Sequence, residues 1–394
     1  MIRRYAWVVC MLLIVLLVPG CAWLKRAIEG TETLEDEPVT GLHLSSVNIK
    51  DKICAGERVQ LQVSADIEGK PSMTTWHYSA DGGADKKGHL TFEDFTFSSS
   101  FGKIDHEGFL LVPNTGLELL GQGVKVEVTS KHAPGLNAQL ELGIHFGCGV
   151  VLSFAGAPGQ AGQTGAAGQS GRDGRSEQSS GSYARPGGHG EDGLNGGNGG
   201  SGGPGGNGHN LTIDLAKIVS PGKAELVLVR ITNHTEGNLT RSVLLDPAGG
   251  GRLVVSADGG AGGPGGAGGI GGRGGHGGTG SPAGNGGNGA NGGDGGNGGD
   301  GGNGGKVLLR YDSRHADLAG LVEVSNRGGV AGAAGPAGAG GSGGNTYSGG
   351  RQGRSGRMGN SGHSGRPGSS GPSVDVQPVD LRLIFPDMGG LKFV

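Results

Sequence analysis

Arg351, Arg354, Arg357 and Arg366 recur in steps of three within one run, with Asn360 and His363 on two of the intervening steps. A guanidinium repeated at fixed pitch can fork onto phosphate or carboxylate groups. The column is therefore a candidate grip for an anionic polymer such as lipopolysaccharide or another polysaccharide. The plainer reading is a solvated surface partly paired with a second column, Asn285, Asn288, Asn291, Asp294, Asn297, Asp300 and Asn303. Exposed pairs of that kind contribute about 0–1 kcal/mol. A second candidate set is Arg175, Tyr183, Arg185 and Tyr347, which falls where the repeat is interrupted. Tyr and Arg dominate recognition surfaces; the alternative is that Tyr183 and Tyr347 merely cap a bundle end. His189, His209, His276 and His363 are dispersed along different runs, so they point to no metal site. No nucleophile elbow, paired-carboxylate motif or phosphate loop stands out. The many Gly-x-Gly-x-x-Gly matches belong to the repeat, and none opens a helix after a strand. The chain reads as a non-enzyme without a cofactor.

A glycine repeat over 156–371 positions these residues. Glycine supplies 93 of 394 residues and falls on every third position in long runs. From Gly259 to Gly304 the phase is broken once, at Ala283. High glycine with 4% aromatic and 17% charged residues is the composition of disorder, yet a random linker keeps no phase. A period of three matches one turn of a polyproline-II-type helix, rising about 3.1 Å per residue. Phase breaks divide the repeat into six arms: 156–174, 187–208, 259–280, 284–305, 328–344 and 349–371. They form three hairpins, and an arm near 20 residues would span about 60 Å. Such a helix makes no internal hydrogen bonds. Neighbouring arms must satisfy its backbone, and only glycine lets backbones approach that closely. The expectation is an antiparallel six-arm polyglycine-II bundle. Arms 2, 3 and 4, mostly Gly-Gly-X, should be interior; arms 1 and 6 should lie at an edge. A collagen triple helix is the second structural reading, disfavoured by sparse proline and recurring breaks. A disordered linker is the third, and a calcium-binding β-roll fits poorly because the repeat lacks its apolar position.

Strand-like segments occupy the connections. LTIDLAKIV, AELVLVRI, SVLL, RLVVSAD, KVLLRYD, GLVEVSN and VDVQPVDLRLIF predict a small β-base from 209–258, 306–326 and 374–385. The tips, 175–186, 281–284 and 345–348, would gather at the far end. Residues 39–154 alternate apolar and polar positions in about seven short segments, including HLTFEDFTF, which predicts a β-sandwich. The predicted class is mainly β, with residues 155–394 forming the glycine-rich unit.

The N-terminus carries a basic MIRRY and an apolar AWVVCMLLIVLLVPG, a signal peptide over 1–20. Val18-Pro19-Gly20-Cys21 resembles a bacterial lipobox. The resemblance implies a diacylglyceryl group on Cys21, attachment to a membrane and, with Ala22 rather than Asp, sorting to the outer membrane. A plain transmembrane anchor is the alternative. Residues 21–38 read as an acidic tether. With Cys10 removed and Cys21 lipidated, Cys54 and Cys148 remain, and an even pair in an exported protein favours a disulfide. Two buried free thiols are the alternative; zinc is not expected, because no closely spaced His accompanies the pair. Losing Arg3 and Arg4 lowers the formal charge from −3 to −5, no signature of nucleic-acid binding. CAGERVQLQVSA, FSSSFGKIDHEGFLLVP and VKVEVTSKHAPGLNAQLELGI resemble bacterial Ig-like domains. The GGX repeat resembles the polyglycine-II bundles of springtail antifreeze proteins and phage tail-fibre adhesin tips. Together these resemblances imply a lipid-anchored envelope protein with a structural, display or adhesion role, monomeric as a bundle or trimeric if collagen-like. Its partner would be a surface glycan or a protein. The alternative is a collagen-like spacer without a ligand. Ice binding is the least favoured binding role, because Asn, Asp and Arg columns are not a flat face of small side chains.

Overall fold

A computed structural model describes residues 29–48, 51–79, 81–113, 117–177, 185–219, 225–380, 385 and 392–394. The expected signal peptide, Cys21, Tyr183 and residues 381–384 lie outside the described residues.

The fold is mainly β. Residues 29–145 build two sheets over one core. In the first, β1 (Val39–Ser46), β3 (Arg58–Ile67), β9 (Phe109–Leu111) and β8 (Lys103–Ile104) are neighbours in that order, with β4 (Met73–Thr74) also on β3. In the second, the order is β2 (Lys52–Cys54), β11 (Asn137–His145), β10 (Gly123–Ser130) and β7 (Phe95–Ser99). A small hairpin, β5 (His77–Tyr78) with β6 (Ala84–Asp85), stands apart. The period of two produces the core: Leu61, Val63, Ala65 and Ile67 of β3 face Val124, Val126 and Val128 of β10 within one buried cluster.

Two expectations need correction here. Leu34 is fully buried in this core, and the Glu32 N–H donates to the His89 carbonyl. Part of the expected tether therefore belongs to the folded unit. HLTFEDFTF is not one strand: a 3₁₀ turn at Phe92–Asp94 interrupts it, and Thr91 Oγ1 accepts the Glu93 N–H there. The turn seats Phe92 edge-on against Trp76, 5.2 Å between ring centroids.

Beyond residue 149 the chain builds a two-layer base. One layer is wholly parallel: β12 (Val150–Ser153), β16 (Leu253–Ser256) and β18 (Val322–Ser325). The other has the order β15 (Leu239–Leu245), β14 (Glu225–Asn233), β13 (Leu211–Val219), β17 (Val307–Asp312) and β19 (Asp375–Val379), with β20 (Lys392–Phe393) on β13. β13, β17 and β19 run parallel. Leu152, Ile213, Leu215, Val255 and Leu309 fill the space between the layers. The outer face of the larger sheet carries Ala216, Ile218 and Leu228, against which Leu117 and Phe146 pack. This contact seats the N-terminal unit on the base.

Each parallel strand runs directly into, or receives, one arm. β12, β16 and β18 lead into arms 1, 3 and 5; arms 2, 4 and 6 lead into β13, β17 and β19. The register carries over. Leu211 opposes Val307, a separation also kept by the bond from Asn291 N–H to Asn195 Oδ1. Backbone N–H groups of arm 1 donate to arm 3, those of arm 2 to arms 1 and 4, and those of arm 3 to arms 2 and 5. Arm 4 donates to arms 3 and 6, arm 5 to arm 4, and arm 6 to arm 5. Arms 3 and 4 thus have four bonded neighbours each, arms 2 and 5 three, and arms 1 and 6 two. Arms 1, 3 and 5 form one row and arms 2, 4 and 6 the other, so the base's two layers continue into the arms.

Candidate functional site: the polar face and tips of the arms

The arginine column lies on the outer face of the 2–4–6 row. Its backbone is fixed from two sides. Gly286, Gly289 and Gly292 N–H groups donate to the carbonyls of Arg351, Arg354 and Arg357, at 2.8–2.9 Å. The N–H groups of the same arginines donate to Asn285, Asn288 and Asn291 Oδ1, at 2.8–3.0 Å. Asp294, Asn297, Asp300 and Asn303 receive Asn360, His363, Arg366 and Ser369 in the same way. One arm back, His189 Nδ1 and the Oδ1 atoms of Asp192, Asn195, Asn198 and Asn207 accept the N–H groups of arm 4's own column.

The asparagine column is therefore part of the scaffold. The N–H groups at the third position of these triplets have no backbone acceptor among the described residues. A short side chain with a carbonyl-type oxygen on the parallel neighbour supplies the acceptor. Longer or apolar side chains there would leave that N–H to water.

The column divides by its neighbours. Arg366 sits beside Asp300, whereas Arg351, Arg354 and Arg357 sit beside neutral asparagines. All four are exposed, and none of their guanidinium groups meets a carboxylate in an ion pair among the described residues. The three arginines fall on every third residue of arm 6. They begin at the tip end of arm 6.

The tips come together there. Ser281 N–H donates to the Arg185 carbonyl, Thr346 Oγ1 donates to the Gly284 carbonyl, and Gly349 lies against Pro282. Arg175 and Arg185 are exposed, and Tyr347 is 60% exposed. Tyr183 is outside the described residues.

The chain matches no protein-family model, no curated protein and no solved structure.

The opposite face, formed by arms 1, 3 and 5, differs in kind. The shared register places Ala161 beside Pro264 and Ala333, Thr164 beside Ala267 and Pro336, and Ala167 beside Ile270 and Ala339. Ile270 is 58% exposed. Small side chains at regular spacing do occur in this molecule, on the face away from the asparagine and arginine columns. Where this row meets the base, Asp258 accepts Ser325 Oγ at 2.6 Å, the Arg327 N–H at 2.6 Å and Ser256 Oγ at 2.9 Å. Burial pushes its pKa up, but these bonds together outweigh burial and hold the carboxyl below the usual aspartate value.

Cys54 and Cys148 form a disulfide across 94 residues, with Cα atoms 6.1 Å apart. It ties β2 to the turn before β12, close to the junction between the N-terminal unit and the base. The sequence reading missed His145, which lies three residues before Cys148. Its Nε2 is 3.5 Å from Cys54 Sγ and 3.8 Å from Cys148 Sγ. The His-x-x-Cys spacing is the signal that could have found it.

Proposed function

We propose that the chain is a lipid-anchored envelope protein without catalytic activity, in which an immunoglobulin-like domain carries a stiff polyglycine-II bundle. On this reading the bundle displays its tips about 60 Å from the base, for arms near 20 residues long. Its Arg351–Arg354–Arg357 column holds an anionic surface polymer, such as lipopolysaccharide or an acidic polysaccharide, with Arg175, Arg185 and Tyr347 adding contacts at the end. The observation that supports it most is the column itself. Three exposed guanidinium groups at equal pitch have backbones bonded on two sides and neutral neighbours on the adjoining arm. A fixed backbone lowers the ordering cost of binding, and guanidinium groups not engaged by carboxylates remain available to a ligand.

The test is binding of the protein to immobilised lipopolysaccharide and to an acidic polysaccharide over a range of salt. Reversing all three charges (R351E/R354E/R357E) is expected to weaken binding by about 100-fold, taking roughly 1 kcal/mol for each arginine. Wild-type binding should also weaken as salt rises. Binding unchanged by the triple reversal would remove the column from the account. A wild-type protein that binds neither polymer would favour the ligand-free spacer.

A further inference from the structure

We propose that Cys54, His145 and Cys148 form a three-ligand Zn²⁺ site when the disulfide between the two cysteines is reduced. β2 and β11 pair in parallel, with Cys54 directly opposite His145. The chain then turns through Phe146 and Gly147 and brings Cys148 back beside them. The three ligand atoms lie within 4.8 Å of one another, and all three residues are half-buried.

The distances suit zinc. With Zn–S near 2.3 Å and Zn–N near 2.05 Å, the sulfur-to-nitrogen edge of a tetrahedron is about 3.6 Å. The observed edges are 3.5 and 3.8 Å. The remaining edge, between the sulfurs, must open to about 3.8 Å. Rotation of the two thiol side chains would supply this once the bond is broken, across a Cα separation of 6.1 Å. The partial exposure leaves the fourth position to water. Glu57 Oε2 accepts the Cys54 N–H at 2.8 Å, which fixes the backbone of the first ligand.

The chemistry needs a dithiol reductant. One of its thiolates attacks a disulfide sulfur, giving a mixed disulfide and freeing the other cysteine. Its second thiol displaces the mixed disulfide and leaves oxidised, so two electrons reach the protein as two thiols. Zn²⁺ then displaces both thiol protons to solvent and takes the lone pair of neutral His145 Nε2. The junction between the N-terminal unit and the base is thereby held in both redox states, by a covalent bond in one and by a metal in the other.

The test uses the full chain in detergent, oxidised in one sample and reduced with a phosphine in the other, with Zn²⁺ and Co²⁺ as probes. The reduced chain is expected to take up one Zn²⁺, and Co²⁺ should give thiolate charge-transfer absorption with tetrahedral ligand-field bands. The oxidised chain should give neither. His145→Ala leaves the disulfide in place, so its fold can be checked by circular dichroism before reduction. It should then lower Zn²⁺ affinity by about 100-fold or more, beyond the 10–100-fold lost with an outer-shell partner. If reduction alone loosens the fold, Zn²⁺ should restore the native melting transition. Equal uptake by oxidised and reduced chains, affinity unchanged in His145→Ala, or a melt that reduction lowers and Zn²⁺ fails to restore would each overturn the proposal.

Discussion

Gly296→Ala is expected to lower the melting temperature of the glycine-rich unit by about 6–12 °C, while Asn297→Ala, one residue on, shifts it by only a few degrees. Gly296 lies in arm 4. Its N–H donates to the Gly266 carbonyl of arm 3, and its own carbonyl accepts Gly335 N–H of arm 5, at 2.8 and 2.9 Å. A Cβ placed there would meet the backbone carbonyl of Gly200 in arm 2 at well under 3.0 Å. No flexible side chain can yield; a whole arm must shift. Overpacking of this kind costs about 1–3 kcal/mol, and each strained hydrogen bond adds about 1 kcal/mol. A total near 3 kcal/mol corresponds to that shift for a unit of this size. Asn297 is exposed and contributes one bond, to His363 N–H, so its loss should stay near 1 kcal/mol. Conformational freedom is not the reason for the glycine. Among the described residues the arms contain one glycine at positive φ, Gly349, at a tip turn. The others are there because a neighbouring backbone occupies the place of the side chain. Differential scanning of both variants decides the matter. Equal shifts, or a neutral Gly296→Ala, would contradict the close packing of arms.

Asp214→Ala should destabilise the base by about 3 kcal/mol, with Asp214→Asn falling between it and the wild type. Asp214 is 1% exposed on β13 and lies directly opposite Arg230 on β14 and Arg310 on β17. Its Oδ2 accepts Arg230 Nη2 at 3.0 Å, and its Oδ1 accepts Arg310 Nε at 2.7 Å. Removing the carboxylate leaves two cations flanking one strand. Breaking a buried pair costs about 3–5 kcal/mol, and the lower end applies because both arginine side chains are about a quarter exposed. Chemical denaturation followed by circular dichroism measures the change. The arms continue directly from the base strands, so the arm signal should be lost in the same transition. Arms that stay folded after the base unfolds would show that they do not depend on it.

The mainly β class was legible from alternation, and the Cys54–Cys148 bridge from counting cysteines. Periodicity also located LTIDLAKIV and KVLLRYD, where β13 and β17 lie. The hidden features are non-local. Nothing near Asn291 announces that its side chain accepts the N–H of Arg357, or that its own N–H reaches Asn195, 96 residues earlier. That pairing becomes readable only after the parallel register of β13 and β17 is known. The same holds for Ala167, Ile270 and Ala339, which become one surface only through the register of β12, β16 and β18. His145 is hidden for another reason: a single histidine at a strand end belongs to no repeat, and only the parallel pairing of β2 with β11 brings it to Cys54. The 3₁₀ turn at Phe92 is hidden by FEDF, whose alternation mimics a strand.

The central claim is that all six arms belong to one chain and bond to each other through the registers of their own base. The most direct test is the mass in solution of a soluble chain beginning at residue 39, by sedimentation, followed through a melt monitored by far-ultraviolet circular dichroism. The account predicts a monomer with a polyproline-II-like spectrum that melts in a cooperative step independent of concentration. A trimer that dissociates as it melts would contradict it, because the arms would then find their partners in other chains.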